Sequence, residues 1–336
     1  MGKTVVLGLS GGVDSAVAAR LLLEDGYTVY GHWLDIGLGG REEAAAVAAS
    51  LGIPFSTGDI REELAREVMT PFRADYLAGR TPLPCARCNP TVKFPALFRR
   101  AEEVGADCVA TGHYARIVAD ETGQVLLCRG GHANDQAYML ARLPKALLPR
   151  LVFPLGPYEK VRVRQLARDY GLPVADKPDS MEICFIPDGD YPAFIEARGL
   201  AGKAGHFISP DGADLGPHQG VLHYTVGQRK GLGIALGEPV FIREICENGD
   251  IRLARGGEEY FTTVTVAGLV TPDGAALPAG EYLVKVRSAA PAQPAVFDGT
   301  DTLTFASPVR APAPGQTAAF YRGGAVAGSG FITHAE

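Results

Sequence analysis

The sequence predicts an α/β protein: an N-terminal doubly wound parallel sheet, then a small β-rich domain and a C-terminal β-barrel. Three observations carry this. From Thr4 to roughly Leu200 apolar runs alternate with helical patterns, the signature of a parallel sheet covered by helices. A glycine turn, Ser10-Gly11-Gly12-Val13-Asp14-Ser15, separates the first apolar run from the first helical one. After Gly202 short β-rich runs take over, with turn signals such as Asn248-Gly249-Asp250 and Pro272-Asp273-Gly274 at short spacing. At 336 residues two or three domains are expected, and these changes place them at 1–203, 204–264 and 265–336.

Taken in order, Thr4–Leu9 is the first strand, and the helix after the glycine turn ends near Gly26, where glycine takes a left-handed cap. Tyr27–Leu34 is the second strand. At the carboxyl ends of such strands a doubly wound fold binds its ligands, which puts Trp33 or Leu34 beside an adenine, although a lone tryptophan in an apolar run more often belongs to the core. Arg41–Leu51 is helical and is stopped by Gly52-Ile53-Pro54; Ile60–Tyr76 is a further helix with acids in its first turn. The loop from Gly79 to Pro90 carries three prolines and two cysteines, so no helix is expected before about Thr91. Cys108–Thr111 is a short buried strand, and Ala115–Cys128 a hairpin around Asp120–Gly123. In the second half strands are expected at His206–Pro210, Val221–Val226, Val240–Cys246, Ile251–Arg255, Phe261–Val266 and in five shorter runs from Tyr282 to Ile332.

Composition narrows the function classes. A hydrophobic content of 46% supports well-formed cores, no run approaches a membrane span, and the chain opens directly into a strand pattern, so a cytoplasmic protein with no membrane partner is expected. Six cysteines are too sparse for a secreted disulfide framework. The formal charge of −6 offers nucleic acid no bulk attraction, yet between Arg142 and Arg168 seven basic residues face one acid, Glu159. Such a stretch is either a solvated helical face or a phosphate-backbone contact surface; counterion release favours the second reading.

Two stretches carry chemistry. Adjacent glycines allow close backbone approach, and the helix behind them aims N–H groups and its positive dipole end at a guest, for which a phosphate is the natural candidate. The blander reading makes Asp14 and Ser15 simple helix caps. The second stretch is Cys85-x-x-Cys88, with Cys184 far downstream: a redox pair, a metal half-site, or one catalytic thiol with a neighbour. Structural zinc is disfavoured for want of a fourth soft ligand. Cys108, Cys128 and Cys246 read as inert core thiols.

The glycine loop resembles the pyrophosphate (PP) loop of the adenine nucleotide α-hydrolase-like enzymes, which split ATP into AMP and pyrophosphate. With the segments Gly79–Pro82, Cys88–Phe94, Thr111–Tyr114, Asp135-Gln136, Asp179–Ile186, Tyr224–Ile234, Pro314–Gln316 and Phe320-Tyr321, nearly the whole chain resembles the tRNA-specific 2-thiouridylases. The resemblance implies ATP-dependent replacement of the C2 oxygen of a tRNA wobble uridine by sulfur. It implies that Gly8, Leu9, Ser10, Gly11, Gly12, Val13, Asp14 and Ser15 hold ATP, with Leu34 and Gly112 near the nucleoside and Asp14 acting through Mg2+. A persulfide on Cys184, charged by an upstream sulfur donor, delivers sulfur, while Cys88 acts as nucleophile and later forms a disulfide with Cys184; alternatively Cys88 releases hydrosulfide. Arg87 and Lys93 are expected to lower the Cys88 pKa. Leu83, Pro84 and Cys85 would approach the target base, and His113, Asn134, Asp135, Gln136, Arg287, Ser288 and Gln316 the tRNA.

The chain departs from the family pattern in places. Leu83-Pro84-Cys85 stands where Asn-Pro-Asp is usual, Asn134 replaces a lysine, and Ser288 a tyrosine. Related PP-loop RNA thiolases hold a four-iron, four-sulfur cluster on three cysteines, so Cys85, Cys88 and Cys184 form a candidate metal set, against Cys85 as a bystander. The competing functions are a PP-loop ligase or amidotransferase acting on a small metabolite, and a non-catalytic RNA-binding module.

Overall fold

The computed structural model describes residues 2–130, 132–178 and 183–336. Strands β1 (Thr4–Gly8), β2 (Thr28–Asp35), β3 (Phe55–Asp59) and β4 (Cys108–Ala110) come first, then a hairpin of β5 (Arg116–Ala119) and β6 (Val125–Cys128), and then β7 (Leu151–Val152). β3-β2-β1-β4-β7 form a parallel sheet in that order. Val5, Val6 and Leu7 are completely buried, because helices cover both faces. The chain winds outward one way from β1 through β2 to β3 and the other way from β1 to β4 and β7. The crevice at the carboxyl ends of β1 and β4 is therefore the switch point where such sheets bind ligands.

The helix Val13–Glu24 buries Val13, Ala16, Val17, Ala19 and Leu22. Small residues on that face let it lie close to the sheet, which fixes the glycine loop at its N-terminus. The segment 61–77 is one helical run with a wider π-turn at Ala65–Met69.

The second half begins with a four-stranded sheet, β10-β11-β8-β9, made of β8 (His206–Ile208), β9 (Asp214–Pro217), β10 (Val240–Ile245) and β11 (Ile251–Arg255). β12 (Tyr260–Val270), β13 (Gly280–Lys285), β14 (Gln293–Phe297), β15 (Thr302–Arg310), β16 (Thr317–Arg322) and β17 (Ala325–Ala335) follow. They pair in the order β12-β15-β14-β13-β16-β17, and β17 pairs back onto β12, closing a barrel around Val284, Phe297, Leu303 and Phe320.

Three details differ from the sequence reading. The run expected as a strand at Val221–Val226 is instead a 3-10 turn at Val221–His223, since Gly220 at φ 103° turns the backbone and buries Val221 and Leu222. The β5–β6 hairpin, formed as expected, does not end with the first sheet: Cys128 pairs with Ala325, extending the barrel sheet with a strand from the nucleotide half. The proline-rich cysteine segment is helical from Pro84, through Pro84–Cys88 and a π-turn at Asn89–Lys93 into Phe94–Val104. Proline costs no hydrogen bond in a first turn, and the π-turn accommodates Pro90 by loosening the ladder around it.

Candidate functional site

The glycine loop is internally braced. Ser10 N–H donates to Ser15 Oγ at 3.2 Å, Ser15 Oγ donates to the Gly12 carbonyl at 3.1 Å, and the two serine hydroxyls lie 3.1 Å apart. Gly11 sits at φ 73°, and a Cβ there would lie 2.8 Å from Ala44 N, so glycine is required twice over. Gly8, Leu9 and Val13 are packed beneath, a Cβ at Gly8 meeting Leu97 at 3.2 Å. The capping reading is not realised: Gly12 is the N-cap, and no side chain caps the helix.

Asp14 instead turns outward into an ion cluster. Its carboxylate accepts from Tyr114 Oη at 2.6 Å and from Lys160 Nζ at 2.7 and 2.8 Å. Lys177 Nζ donates to the Gly11 carbonyl at 3.2 Å, placing a second ammonium at the loop. Sequence reasoning missed Lys160 and Lys177 as loop residues. Lys160 lay inside the basic stretch assigned to RNA, and neither position has a spacing signal that links it to the glycine loop. Gly112 follows β4 and abuts the same turn: a Cβ on it would sit 2.9 Å from Asp14 C and 3.0 Å from Ser15 N. Leu34 is half-buried at the end of β2, whereas Trp33 is buried core.

The thiols form a second group. Burial pushes the Cys88 thiol up to about 11, and the neighbouring Cys184 and Cys85 push the same way, while Lys93 opposes. Cys184 is exposed as a residue, yet the protein around its thiol also raises it, again with Lys93 lowering and Cys85 raising. The expected activation of Cys88 by its basic neighbours is therefore outweighed by desolvation. Arg87 takes no part in it; its guanidinium lies over the Phe331 ring at 4.7 Å. Among the described residues no group of three or more His, Cys, Asp or Glu side chains is placed to hold a metal ion. The three thiols lie near enough to act on one another, Cys184 and Cys85 raising Cys88 and Cys85 raising Cys184.

The pKa of His113 falls well below the usual histidine value, chiefly through burial and further through the charge of Lys93. The His113 ring packs against Phe94 and Phe153, and its Nδ1 lies 2.6 Å from Thr111 Oγ1.

Most of the other residues expected to meet tRNA are tied into the protein. Gln136 Oε1 accepts from Tyr114 N–H at 3.1 Å, Asp135 Oδ1 from Gly130 N–H at 2.8 Å, and Asn134 Nδ2 donates to the Tyr158 carbonyl at 3.5 Å. Gln316 Nε2 donates to the Thr81 carbonyl at 2.8 Å, and Thr81 N–H to the Pro314 carbonyl at 2.7 Å, so the barrel end grips the irregular segment leading to Leu83, Pro84 and Cys85. Arg287 donates to the carbonyls of Ala311 at 2.7 Å and Val226 at 2.5 Å, tying the barrel to the middle sheet. Ser288 is exposed beside it. Asp179 and Ser180 lie outside the described residues. The basic stretch does not make one face: Arg150 donates to the carbonyls of Ala106 and Asp107, Arg162 pairs with Asp169, Arg168 with Asp176, and Arg164 donates to the Lys177 carbonyl. No helix among the described residues is long and apolar enough to cross a membrane.

Family models match the chain in three consecutive pieces: a tRNA methyl transferase HUP domain over residues 3–188, a tRNA methyl transferase PRC-barrel domain over 193–251, and an aminomethyltransferase beta-barrel domain over 273–332. A tRNA-specific 2-thiouridylase of Carboxydothermus hydrogenoformans is 42% identical, covering 98% of this chain and 97% of its own. That of Acidithiobacillus ferrooxidans is 41% identical and covers 99% of both. Among solved structures, a 4-thiouridine synthetase in complex with RNA and ATP matches 58% of this chain and 50% of its own at 19% identity with a TM-score of 0.37, too loose a likeness to carry an argument.

Proposed function

Because this chain belongs to the tRNA-specific 2-thiouridylase family, we propose that it adenylates the C2 oxygen of a tRNA wobble uridine with ATP and then replaces that oxygen with sulfur. The observation that carries the reading is the match to tRNA-specific 2-thiouridylases at 41–42% identity over 98–99% of the chain, with Gly112 pressed against Asp14 and Ser15 of the glycine loop. A glycine loop suited to phosphates and a pair of neighbouring thiols are the two groups that activation followed by sulfur transfer requires.

In this reading ATP lies on Gly8–Ser15, with Leu34 and Gly112 against the nucleoside and Lys160 and Lys177 offsetting phosphate charge. Asp14 would be the residue to hold a Mg2+ ion, which would supply charge neutralisation to the phosphates when bound. The uridine oxygen attacks the α-phosphorus, pyrophosphate leaves, and C2 gains an AMP leaving group. Cys184 takes a sulfur atom from a carrier persulfide, the carrier leaving as its thiol, and Cys88, giving up its proton as it reacts, attacks Sγ of the resulting Cys184 persulfide. A Cys88–Cys184 disulfide forms, hydrosulfide leaves, and it displaces AMP from C2. No step in this reading runs through a metal cluster. Residues 1–203 serve as the ATP and thiol unit, 204–264 as a connector that also carries the first half of barrel strand β12, and 265–336 as the rest of the tRNA-contacting barrel. His113, Asn134, Asp135, Gln136, Arg287 and Gln316 shape that tRNA surface from within, while half-buried Leu83 and Cys85 and exposed Ser288 face the RNA, with Pro84 buried beneath them.

Incubation with ATP, magnesium, a sulfur donor and tRNA tests the proposal: 2-thiouridine and pyrophosphate are expected together, and Cys88→Ala and Cys184→Ala abolish the thionucleoside. Pyrophosphate release only with a small amide acceptor would instead establish a ligase, methylated tRNA a methyl transferase, and tRNA binding without product a non-catalytic module.

A further inference from the structure

The basic residues between Arg142 and Arg168 are largely answered inside the protein. Lys160 meets Asp14, Arg162 meets Asp169, Arg168 meets Asp176, and Lys145 donates to Gln124 with Asp120 and Asp273 nearby. Arg142 is different. Its guanidinium carbon lies 4.4 Å from the centre of the Phe331 ring, and that of Arg87 lies 4.7 Å from the same centre. Nη1 of Arg142 donates to the Gly268 carbonyl at 3.1 Å, and among the described residues neither guanidinium pairs with a carboxylate.

Two cations on one ring repel each other. The aromatic face attracts each by roughly 0.5–2 kcal/mol, but it neutralises neither. The cost is visible at Arg142, whose pKa falls to about 10, through burial first and the charge of Arg87 second. An anion received by both guanidinium groups would remove that repulsion, and planar forked donors of this kind match phosphate oxygens. Three elements meet here: Arg87 directly precedes Cys88 in the helix Pro84–Cys88, Arg142 follows the short helix Ala137–Leu140, and Phe331 belongs to barrel strand β17.

We propose that Arg87 and Arg142, seated on Phe331, together bind one phosphodiester of the tRNA beside the nucleotide presented to Cys88. The assignment rests on the tRNA reading above and adds a subsite to it. It also gives the barrel a part in positioning the substrate, because β17 carries the ring on which both arginines rest.

The test measures binding of fluorescent substrate tRNA to the full chain between 50 and 200 mM salt, for wild type, Arg87→Gln, Arg142→Gln, the double variant and Arg142→Lys. Loss of one phosphate contact is expected to weaken binding on the order of tenfold and to flatten the dependence of log K on log salt by about 0.7–0.9. Since both side chains hold one phosphate, the double variant should bind little worse than either single one. Arg142→Lys should keep the slope while losing affinity, and the ATP concentration needed for half-maximal pyrophosphate release should not move. An unchanged slope in the double variant, additive losses, or a shift in the ATP requirement in place of tRNA affinity each overturns the assignment. Should Arg142→Gln fail to fold, the slope measured for Arg87→Gln decides the question alone. Wild-type protein that makes no 2-thiouridine refutes the proposed function itself; wild type that makes it while the variants keep their slope refutes only this subsite.

Discussion

Replacing Gly112 with alanine probes the joint between β4 and the glycine loop. The new methyl would stand 2.9 Å from Asp14 C, 3.0 Å from Ser15 N and 3.1 Å from Asp14 Cβ, all well inside ordinary contact distance. The first two are backbone atoms in the first turn of the helix Val13–Glu24, so neither can rotate away. Relief requires the turn to retreat by about half an ångström, and overpacking of this kind costs roughly 1–3 kcal/mol. The retreat also carries Asp14 away from Tyr114 and Lys160, whose bonds of 2.6–2.8 Å leave little slack. Gly112→Ala should therefore lower the unfolding midpoint and raise the ATP concentration needed for half-maximal pyrophosphate release by tenfold or more. Gly52→Ala is the control: its φ of 65° imposes a left-handed strain of about 1–2 kcal/mol, yet nothing lies within 4 Å of the added methyl. It should lose stability without losing ATP. Thermal unfolding and a pyrophosphate assay on both variants decide the matter. A Gly112→Ala protein that uses ATP like the wild type, or a control that loses ATP equally, would refute close approach as the reason for glycine at 112.

Further outcomes follow from the same geometry. Lys160→Met should reduce pyrophosphate release about tenfold, the rate equivalent of some 1.4 kcal/mol, with the fold intact by circular dichroism and partial rescue by Lys160→Arg. With its thiol pushed up to about 11, Cys88 holds far less thiolate at neutral pH than a free cysteine of pKa near 8.5. Its alkylation by iodoacetamide should then rise about tenfold per pH unit from 7 to 10, and a plateau near pH 8.5 would contradict the burial argument. His113 carries the opposite shift. Below pH 6.5 the unfolded chain takes up a proton that the folded site refuses, so stability is full above that pH and is lost as pH falls through it. Urea unfolding at pH 5.5 and 7.5 should show the drop, and His113→Asn should shrink it.

The order of strands, the glycine turn and the pair of thiols were legible in the sequence because each rests on local chemistry: alternating apolar periods, a loop that only glycine can form, cysteines near prolines and basic residues. Local chemistry also misled at Pro84, where a proline-rich run reads as a helix breaker but serves as a first helical turn. Likewise the apolar run Val221–Val226 reads as a strand, yet Gly220 turns it into the core.

What the tertiary structure alone decided is which charges meet. Lys160 lies 146 positions from Asp14, Gln316 lies 235 from Thr81, and Phe331 gathers Arg87 and Arg142 from distant elements. Seven cations in one stretch of sequence look like a single surface, but side-chain direction and neighbouring carbonyls distribute them among separate tasks. The same holds for Cys88: residue types beside it suggest an activated thiolate, while its depth in the fold, which no spacing encodes, keeps the proton on. The sequence determined which residue types lie in the loop and beside the thiols; packing determined their charge states and partners, because desolvation and distance are properties of the folded chain.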